Sequence, residues 1–598
     1  MDHQTRSLIG ERIGINMEKR IFHVRCDLPG VDAEVKPLEE GEVSLYRVTV
    51  TFPEGAETVP VTLWWEEDMT NHLSVWTPMA WSHHLMHQWF APTRADSCFS
   101  RGAPLLTTLG EGGKNRFTVS VSDPVTPMTM QFCIKDLDQQ NKLEYAVCFF
   151  SQPWDKVTTY TADIRVDARP IPWYQAIPQA TAWWNAYGYT IPSCPPAAED
   201  ATYSSWYNFH QAPDGEKLLA DLKIASEIGF KTVILDDGWQ FEGPSSGNYS
   251  KCGAWQVAKD KFPDFKAFVD GVHKLSMKLV VWFTVPFVGN QDPMYPVFKG
   301  KYLYEYADDL MAAAVLDPRY PEVRDYLVNT YKNFLLKYDI DGFKLDFIDS
   351  FRAGDQTAPF GPGMDRETVD AGVQALLEEI TGKLAEVKPD LLYEYRQNYV
   401  GPAINRFGNM LRVADCAYEA MANRIGVADL RLLHYPVAVH SDMLFWAPEE
   451  SVELCARQIL NILFGVPQIS VILQESTGEQ KALLRNYLAY WTENRELILH
   501  GSFRALHPEL NYTLLGAENG EREIVVLYAD QPYTFRGKAL DLFHNGEEDG
   551  LIFENPTEKE LVGTLFDCFG TSLGEVTIPA GTIKKLPLPR TGMLRVMA

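Results

Sequence analysis

The sequence predicts an α/β protein: a central (β/α)8 TIM barrel flanked by an N-terminal antiparallel β-sandwich and a small C-terminal β domain. Three observations carry this expectation. Residues 1–185 read as short alternating strands, residues 186–501 alternate apolar strands with amphipathic helices, and residues 502–598 return to short strands. A chain of 598 residues is also too long for a single hydrophobic core.

The N-terminal strands are runs such as "SLYRVTVTF", "PVTLWWEED", "RFTVSVSD" and "TADIRVDAR", each with period-two alternation and bounded by turn residues. Within them "GEGGKN" at 110–115 is glycine-rich, but it lacks the GK[ST] ending of a phosphate loop and reads as a hairpin turn. The C-terminal part repeats the pattern in "EREIVVLYAD" and "GEVTIPAGT". Eight strand candidates fill the middle: 203–209, 231–237, 278–286, 340–347, 391–396, 409–415, 435–441 and 468–474. Helical stretches at 214–229, 321–338, 366–388 and 449–464 separate them. That count and length fit a closed barrel better than an open doubly wound sheet.

The formal charge of −26 argues against a nucleic-acid partner and against an anionic membrane surface, since both require basic patches. A neutral small molecule suits such a chain. The opening "MDHQTRSLIGERIG" is polar and no apolar run approaches a membrane span. Nine cysteines lie scattered without a CxxC pair, the usage of a reducing compartment, and a cytoplasmic location is expected. The sequence leaves a homo-oligomer open.

In (β/α)8 barrels the reacting groups sit at the C-terminal ends of the strands. Here "KTVIL" ends in Asp236 and Asp237, followed by Gly238 and Trp239. "DGFKLDF" ends with Lys344 and Asp346, whose i, i+2 spacing points both to one face. "LLYEYR" carries Glu394 and Arg396, and "NMLRVAD" carries Arg412 and Asp415. Trp206, Trp239 and Trp282 lie near the same ends. A ring of rim salt bridges would explain any one pair. Four strands delivering carboxylates and cations to one rim, beside tryptophans, point to an active site.

The rim sets carboxylates against lysine and arginine, so neither a metal nor another cofactor is expected. His83, His84 and His87 cluster in "WSHHLMHQW", in a β-rich stretch where packing or substrate-edge contact is the plainer role. No GxSxG elbow offers a home for acyl transfer. Two carboxylates facing a tryptophan-lined pocket suit glycoside hydrolysis, one attacking the anomeric carbon and the other protonating the leaving oxygen. Lys344 is expected to keep Asp346 ionised. Asp415 needs a raised pKa, which the nearby Arg412 opposes unless Glu394 takes up its charge.

At these residues the chain resembles the α-galactosidases of glycoside hydrolase families 36 and 27. "SSWYNF" looks like their first strand, "ILDDGWQ" like the acidic pair that binds sugar hydroxyls, "GFKLDF" like their K-x-D strand, and "RVAD" like the strand bearing the acid/base. The resemblance implies Asp346 as nucleophile, Asp415 as acid/base, and Asp236, Asp237, Lys344 and Arg412 as substrate-binding residues; Trp206, Trp239, Trp282, Glu394 and Arg396 are expected to bind substrate beside them from their place on the rim. The domain order also resembles family 36. Family 36 members usually carry C-x-S-G-G-x-R-F-D after the fifth strand, where this chain reads "YEYRQNYVGP". That departure leaves the sugar open at positions 2 and 3, so an α-N-acetylgalactosaminide stays in view. The same two aspartates would serve a transglycosylase. A sugar-binding protein on a degenerate barrel, or a lyase using Lys344 as a Schiff-base amine, are the competing classes.

Overall fold

Eight short apolar segments, buried on both faces, pair in parallel to form the centre of the molecule. They are β1 (Thr202–Ser204), β2 (Thr232–Leu235), β3 (Lys278–Thr284), β4 (Gly342–Asp346), β5 (Leu392–Arg396), β6 (Met410–Arg412), β7 (Ala438–His440) and β8 (Gln468–Ile469). In this computed structural model, residues 20–79, 83–86, 93–135, 142–154 and 156–597 are described. The strands neighbour one another in sequence order, and β8 returns to β1 through Thr202↔Gln468 and Tyr203↔Ile469. Bridges His440↔Val466 and Leu444↔Ile469 close the gap between β7 and β8. The barrel is nearly closed.

Helices cover the barrel on the outside, except the first, which packs on the N-terminal strands Leu105–Gly110 and Lys114–Val121. In chain order these are α1 (Trp173–Trp183), α2 (Gly215–Ile228), α3 (Phe265–Lys274), α4 (Pro321–Tyr338), α5 (Val369–Ala385), α6 (Ala420–Leu432), α7 (Val452–Asn461) and α8 (Gly478–His500). Their starts follow from capping chemistry: Asp214 accepts from the amides of Glu216 and Lys217, and Thr477 and Gln480 form a reciprocal capping box. After β5 only a short 3-10 turn, Ile404–Arg406, stands where a helix is expected.

Two expectations shift. The first strand stops at Ser204, because the amide of Trp206 donates to Ser204 Oγ while those of Tyr207 and Asn208 donate to Ser470 Oγ; the chain turns into a single helical turn, Trp206–Phe209. Helix α1 falls in the stretch read as all strand. Its buried residues Trp173, Ala176, Ile177, Ala180 and Thr181 repeat with helical spacing. The Trp173 indole donates to Ala505 O at 3.1 Å, so α1 links the barrel side to the C-terminal strands.

Before α1, two antiparallel sheets of five and six strands face each other across a core that includes Val48, Val50, Trp65, Phe132 and Tyr145. "GEGGKN" is the tight end of the hairpin joining Leu105–Gly110 to Lys114–Val121. After α8, a seven-stranded and a three-stranded sheet enclose a separate small core around Leu527, Leu542 and Phe553.

Candidate active site

At the C-terminal rim, β4 supplies the best-anchored carboxylate. Asp346 Oδ1 accepts from Arg396 Nε at 2.6 Å and from the amide of Phe347 at 2.8 Å, and Oδ2 accepts from the Trp282 indole at 3.0 Å. Phe347 follows in the left-handed region (φ 62°), a strained conformation that turns the chain immediately after the carboxylate. Burial alone would raise the Asp346 pKa. The charges of Arg396 and Lys344, with hydrogen bonds from Arg396 and Trp282, outweigh it and hold the carboxyl well below the usual range.

Lys344 lies two residues earlier on the same face, yet it does not bond to Asp346. Its ammonium reaches across the barrel to Asp236 Oδ2 at 2.6 Å and lies 3.9 Å from Glu394 Oε1. The i, i+2 spacing places Lys344 one layer deeper, in register with Glu394 of β5. Arg396 therefore takes the bonding role expected of Lys344, which acts on Asp346 by charge alone. Burial pulls the lysine down, and Asp236 and Glu394 more than restore it, so it stays an ammonium. A Schiff-base amine is incompatible with that partner.

The acidic pair after β2 divides in two. Asp236 faces the barrel axis and Lys344, whereas Asp237 is turned away, accepting from Gln211 Nε2 at 2.7 Å and Gln240 Nε2 at 2.6 Å. Both of these side-chain partners are neutral amides, and burial pushes the Asp237 carboxyl up to about 6. The turn depends on Gly238 (φ 107°), where a Cβ would lie 2.4 Å from Gln211 Cα. Beyond it Trp239 swings outward: it is 0% exposed among Trp255, Phe265, Phe283 and Phe334, and its indole donates to Trp282 O. Trp239 belongs to the core between barrel and helices and is not a wall of the pocket. Trp282 is also buried and orients Asp346, while Trp206 lies half-buried at the rim beside His210.

Arg412 of β6 is buried among three carboxylates. Its Nε donates to Glu394 Oε1 at 3.2 Å, and its Nη1 donates to Asp415 Oδ1 at 2.9 Å and Asp442 Oδ1 at 2.7 Å. Glu394 is fixed on its other side by Gln468 Nε2 at 2.9 Å, and Gln468 in turn meets His440, whose Nε2 donates to Ala198 O. Asp415 projects into the open mouth with its side chain 63% exposed. The protein around its base still works to raise its pKa; Arg412, reinforced by Lys344, outweighs that, while Asp346 pushes back. Asp442, fully enclosed, is pushed up by burial against the pull of Arg412.

Asp236, Lys344, Glu394, Arg412 and Asp415 thus form one bonded chain along the rim, and the Asp346–Arg396 pair is coupled to it through charge. Asp442 lies one residue beyond the seventh strand candidate, 435–441, so the rule of carboxylates at strand ends stops just short of it. Gln468, Gln211 and Tyr207 carried no charge to mark them. His83 is buried, with Nδ1 against Val75 O at 3.1 Å and its ring beside Tyr512, a packing role. His84 joins a backbone bridge to Ser74, and His87 lies outside the described residues.

A family model described as melibiase matches residues 202–501, half of the chain and the whole barrel. The chain belongs to the melibiase family. Among curated relatives of this melibiase-family chain, alpha-galactosidase AgaA of Geobacillus stearothermophilus is 24% identical over 379 residues, which is 59% of this chain and 49% of the relative. The match thus spans about half the length of that relative. The crystal structure of AgaA, named a GH36 alpha-galactosidase, superposes with a TM-score of 0.62 at 14% identity, covering 95% of this chain and 81% of that one. The alpha-galactosidase from Lactobacillus brevis gives 0.62 at 13% identity over 96% of this chain and 80% of its own. A substituted form of AgaA solved in complex with raffinose superposes at 0.63, with 14% identity over 95% of this chain and 82% of that one. At such identities the structures speak for the fold: a barrel between two β units.

Proposed function

We propose that this protein is a retaining α-glycosidase that hydrolyses terminal α-galactoside-like residues of small oligosaccharides or glycosides. The observation that carries the reading is the contrast between two carboxylates on one rim: Asp346 held ionised and oriented by Arg396 and Trp282, and Asp415 open to the mouth. Names of family relatives and the raffinose complex of AgaA support the substrate class.

Asp346 attacks the anomeric carbon as the glycosidic C–O bond breaks, and Asp415 gives its proton to the departing oxygen. Asp415 then takes a proton from water, whose oxygen attacks the same carbon and releases Asp346. In the empty site Arg412 favours the ionised form of Asp415. A sugar seated over it removes water and raises its pKa, and the bonds of Arg412 to Glu394 and Asp442 divert part of its pull from Asp415. Asp236, Lys344 and Arg396 suit hydrogen bonding to sugar hydroxyls, with Trp206 along the edge. Asp237, Trp239 and Trp282 hold these groups in place. We read three units, 1–185, 186–501 and 502–598; the matched family segment ends where α8 does. The charge of −26 and the unpatterned cysteines support a cytoplasmic setting with no nucleic-acid or membrane partner, and no described helix is long and apolar enough to cross a membrane.

The test is hydrolysis of an aryl α-galactoside by the parent and by Asp346→Ala and Asp415→Ala. Both variants should lose turnover. Azide should rescue Asp346→Gly and give the glycosyl azide of inverted configuration. Full activity in either alanine variant, or retained configuration in the azide product, would refute the assignment.

A further inference from the structure

The most exposed aromatic side chain among the described residues is Tyr418, 75% open to solvent, on the loop that follows Asp415. It does not stand alone. Phe445, from the loop after β7, meets it edge-on with ring centroids 5.7 Å apart, and Tyr207, from the turn after β1, lies 6.3 Å away on another side. Met421, at the start of α6, is also exposed. Three neighbouring loops thus bring apolar rings to one patch of the barrel mouth, although each could have carried a polar residue there at no cost to the core.

The patch is tied to the acid/base. The Tyr207 hydroxyl donates to Asp442 Oδ2 at 3.0 Å, the Cys416 amide donates to the same oxygen at 2.6 Å, and Asp442 Oδ1 shares Arg412 Nη1 with Asp415. Asp442 therefore fixes both the 415–418 loop and the Tyr207 ring. A leaving group whose oxygen takes its proton from Asp415 must emerge beside the residue three positions further on.

We propose that Tyr418, flanked by Phe445 and Tyr207, is a stacking platform for the leaving group, selecting aglycones with a flat apolar face: an aryl ring or the C–H face of a second sugar. This rests on the hydrolase reading above and adds which half of the substrate the rim selects. Tyr418 makes no described core contact that the fold depends on, so its variants fold.

Initial rates for the parent, Tyr418→Ala and Tyr418→Phe are compared on α-galactosyl fluoride, whose leaving group has no face to stack, on p-nitrophenyl α-galactoside, and on an α-galactosyl disaccharide. In Tyr418→Ala the ratio of kcat/KM for a stacked substrate to that for the fluoride should fall about tenfold, mostly through KM, the scale of one aromatic contact. Tyr418→Phe should restore the ratio. A fall confined to the aryl glycoside, or to the disaccharide, identifies which face the platform holds. An unchanged ratio for both overturns the platform while leaving the hydrolase reading intact. A parent that cleaves none of the three overturns the hydrolase reading, and the platform with it.

Discussion

Replacing Asp442 by asparagine tests how this rim keeps Asp415 able to carry a proton. Both carboxylates accept from Nη1 of Arg412, at 2.7 and 2.9 Å, so their charges lie about 5 Å apart. At an effective dielectric of about 20, two like charges at that separation repel by about 3 kcal/mol, or about two pKa units. The Asp415 side chain is 63% exposed, and water over it screens roughly half of this, leaving about one unit. Ionised Asp442 therefore raises Asp415. In Asp442→Asn that charge is gone, Arg412 acts on Asp415 with one rival fewer, and the Asp415 pKa falls. The alkaline limb of kcat for an aryl α-galactoside should move down by about one pH unit, because that limb reports loss of the proton from the proposed general acid in the sugar-bound complex, where Asp415 is raised into the range in which Asp442, pushed up to about 6, is ionised. With α-galactosyl fluoride, which needs no proton on its leaving group, the limb should stay where the parent has it. Asparagine keeps one acceptor oxygen for Arg412, and the variant's melting temperature shows whether its amide disturbs the Cys416 loop. An alkaline limb that stays fixed or moves upward with the aryl substrate would refute the reasoning.

Arg396→Gln removes the cation bonded to Asp346, so the Asp346 pKa rises and the acidic limb of kcat/KM should move up by about two units, read from the same rate profiles. Asp237 keeps its proton in the folded protein up to about pH 6 and, once unfolded, only to an ordinary carboxylate pKa, so its contribution is largest at low pH and is lost as pH rises towards about 6. Asp237→Asn should therefore gain on the parent by up to about 3 kcal/mol between about pH 4 and pH 7, seen as a change in the gap between their melting temperatures. Trp239→Ala should lower stability by about 3–5 kcal/mol in denaturant titrations and leave KM of the folded fraction unchanged, as for a core residue.

The barrel was legible because parallel strands buried on both faces must be apolar throughout, and the carboxylates that interrupt such runs mark the strand ends. Thus Asp236, Asp346 and Asp415 could be placed on one rim from spacing alone. Their partners could not. Parity puts Lys344 and Asp346 on the same face but says nothing of depth, and one layer of depth gives Lys344 to Asp236 and Arg396 to Asp346. Parity also fails after a glycine of positive φ, which is why Trp239 turns outward when its position suggested a pocket wall. The missing helix after β5 and the helix at Trp173–Trp183 have local causes: the first leaves room only for a 3-10 turn, and the second shows helical spacing within a stretch whose neighbours all alternate.

The depth of these pairs has an electrostatic result. Around the three cations Lys344, Arg396 and Arg412 stand six carboxylates, those of Asp236, Asp346, Asp349, Glu394, Asp415 and Asp442. The cations are shared out so that no carboxylate is stranded, yet negative charge remains in excess at the mouth. A neutral sugar meets no penalty there, whereas a ligand bearing its own carboxylate or phosphate does. The excess also bears on the proposed chemistry. Breaking a glycosidic bond through an oxocarbenium-like transition state builds positive charge on the sugar ring, and carboxylates already fixed by Arg396, Trp282 and Arg412 stabilise that charge without having to move. The acidity that gives the chain its formal charge of −26 is, at this rim, the same property that favours a cationic transition state over a neutral ground state in the proposed chemistry.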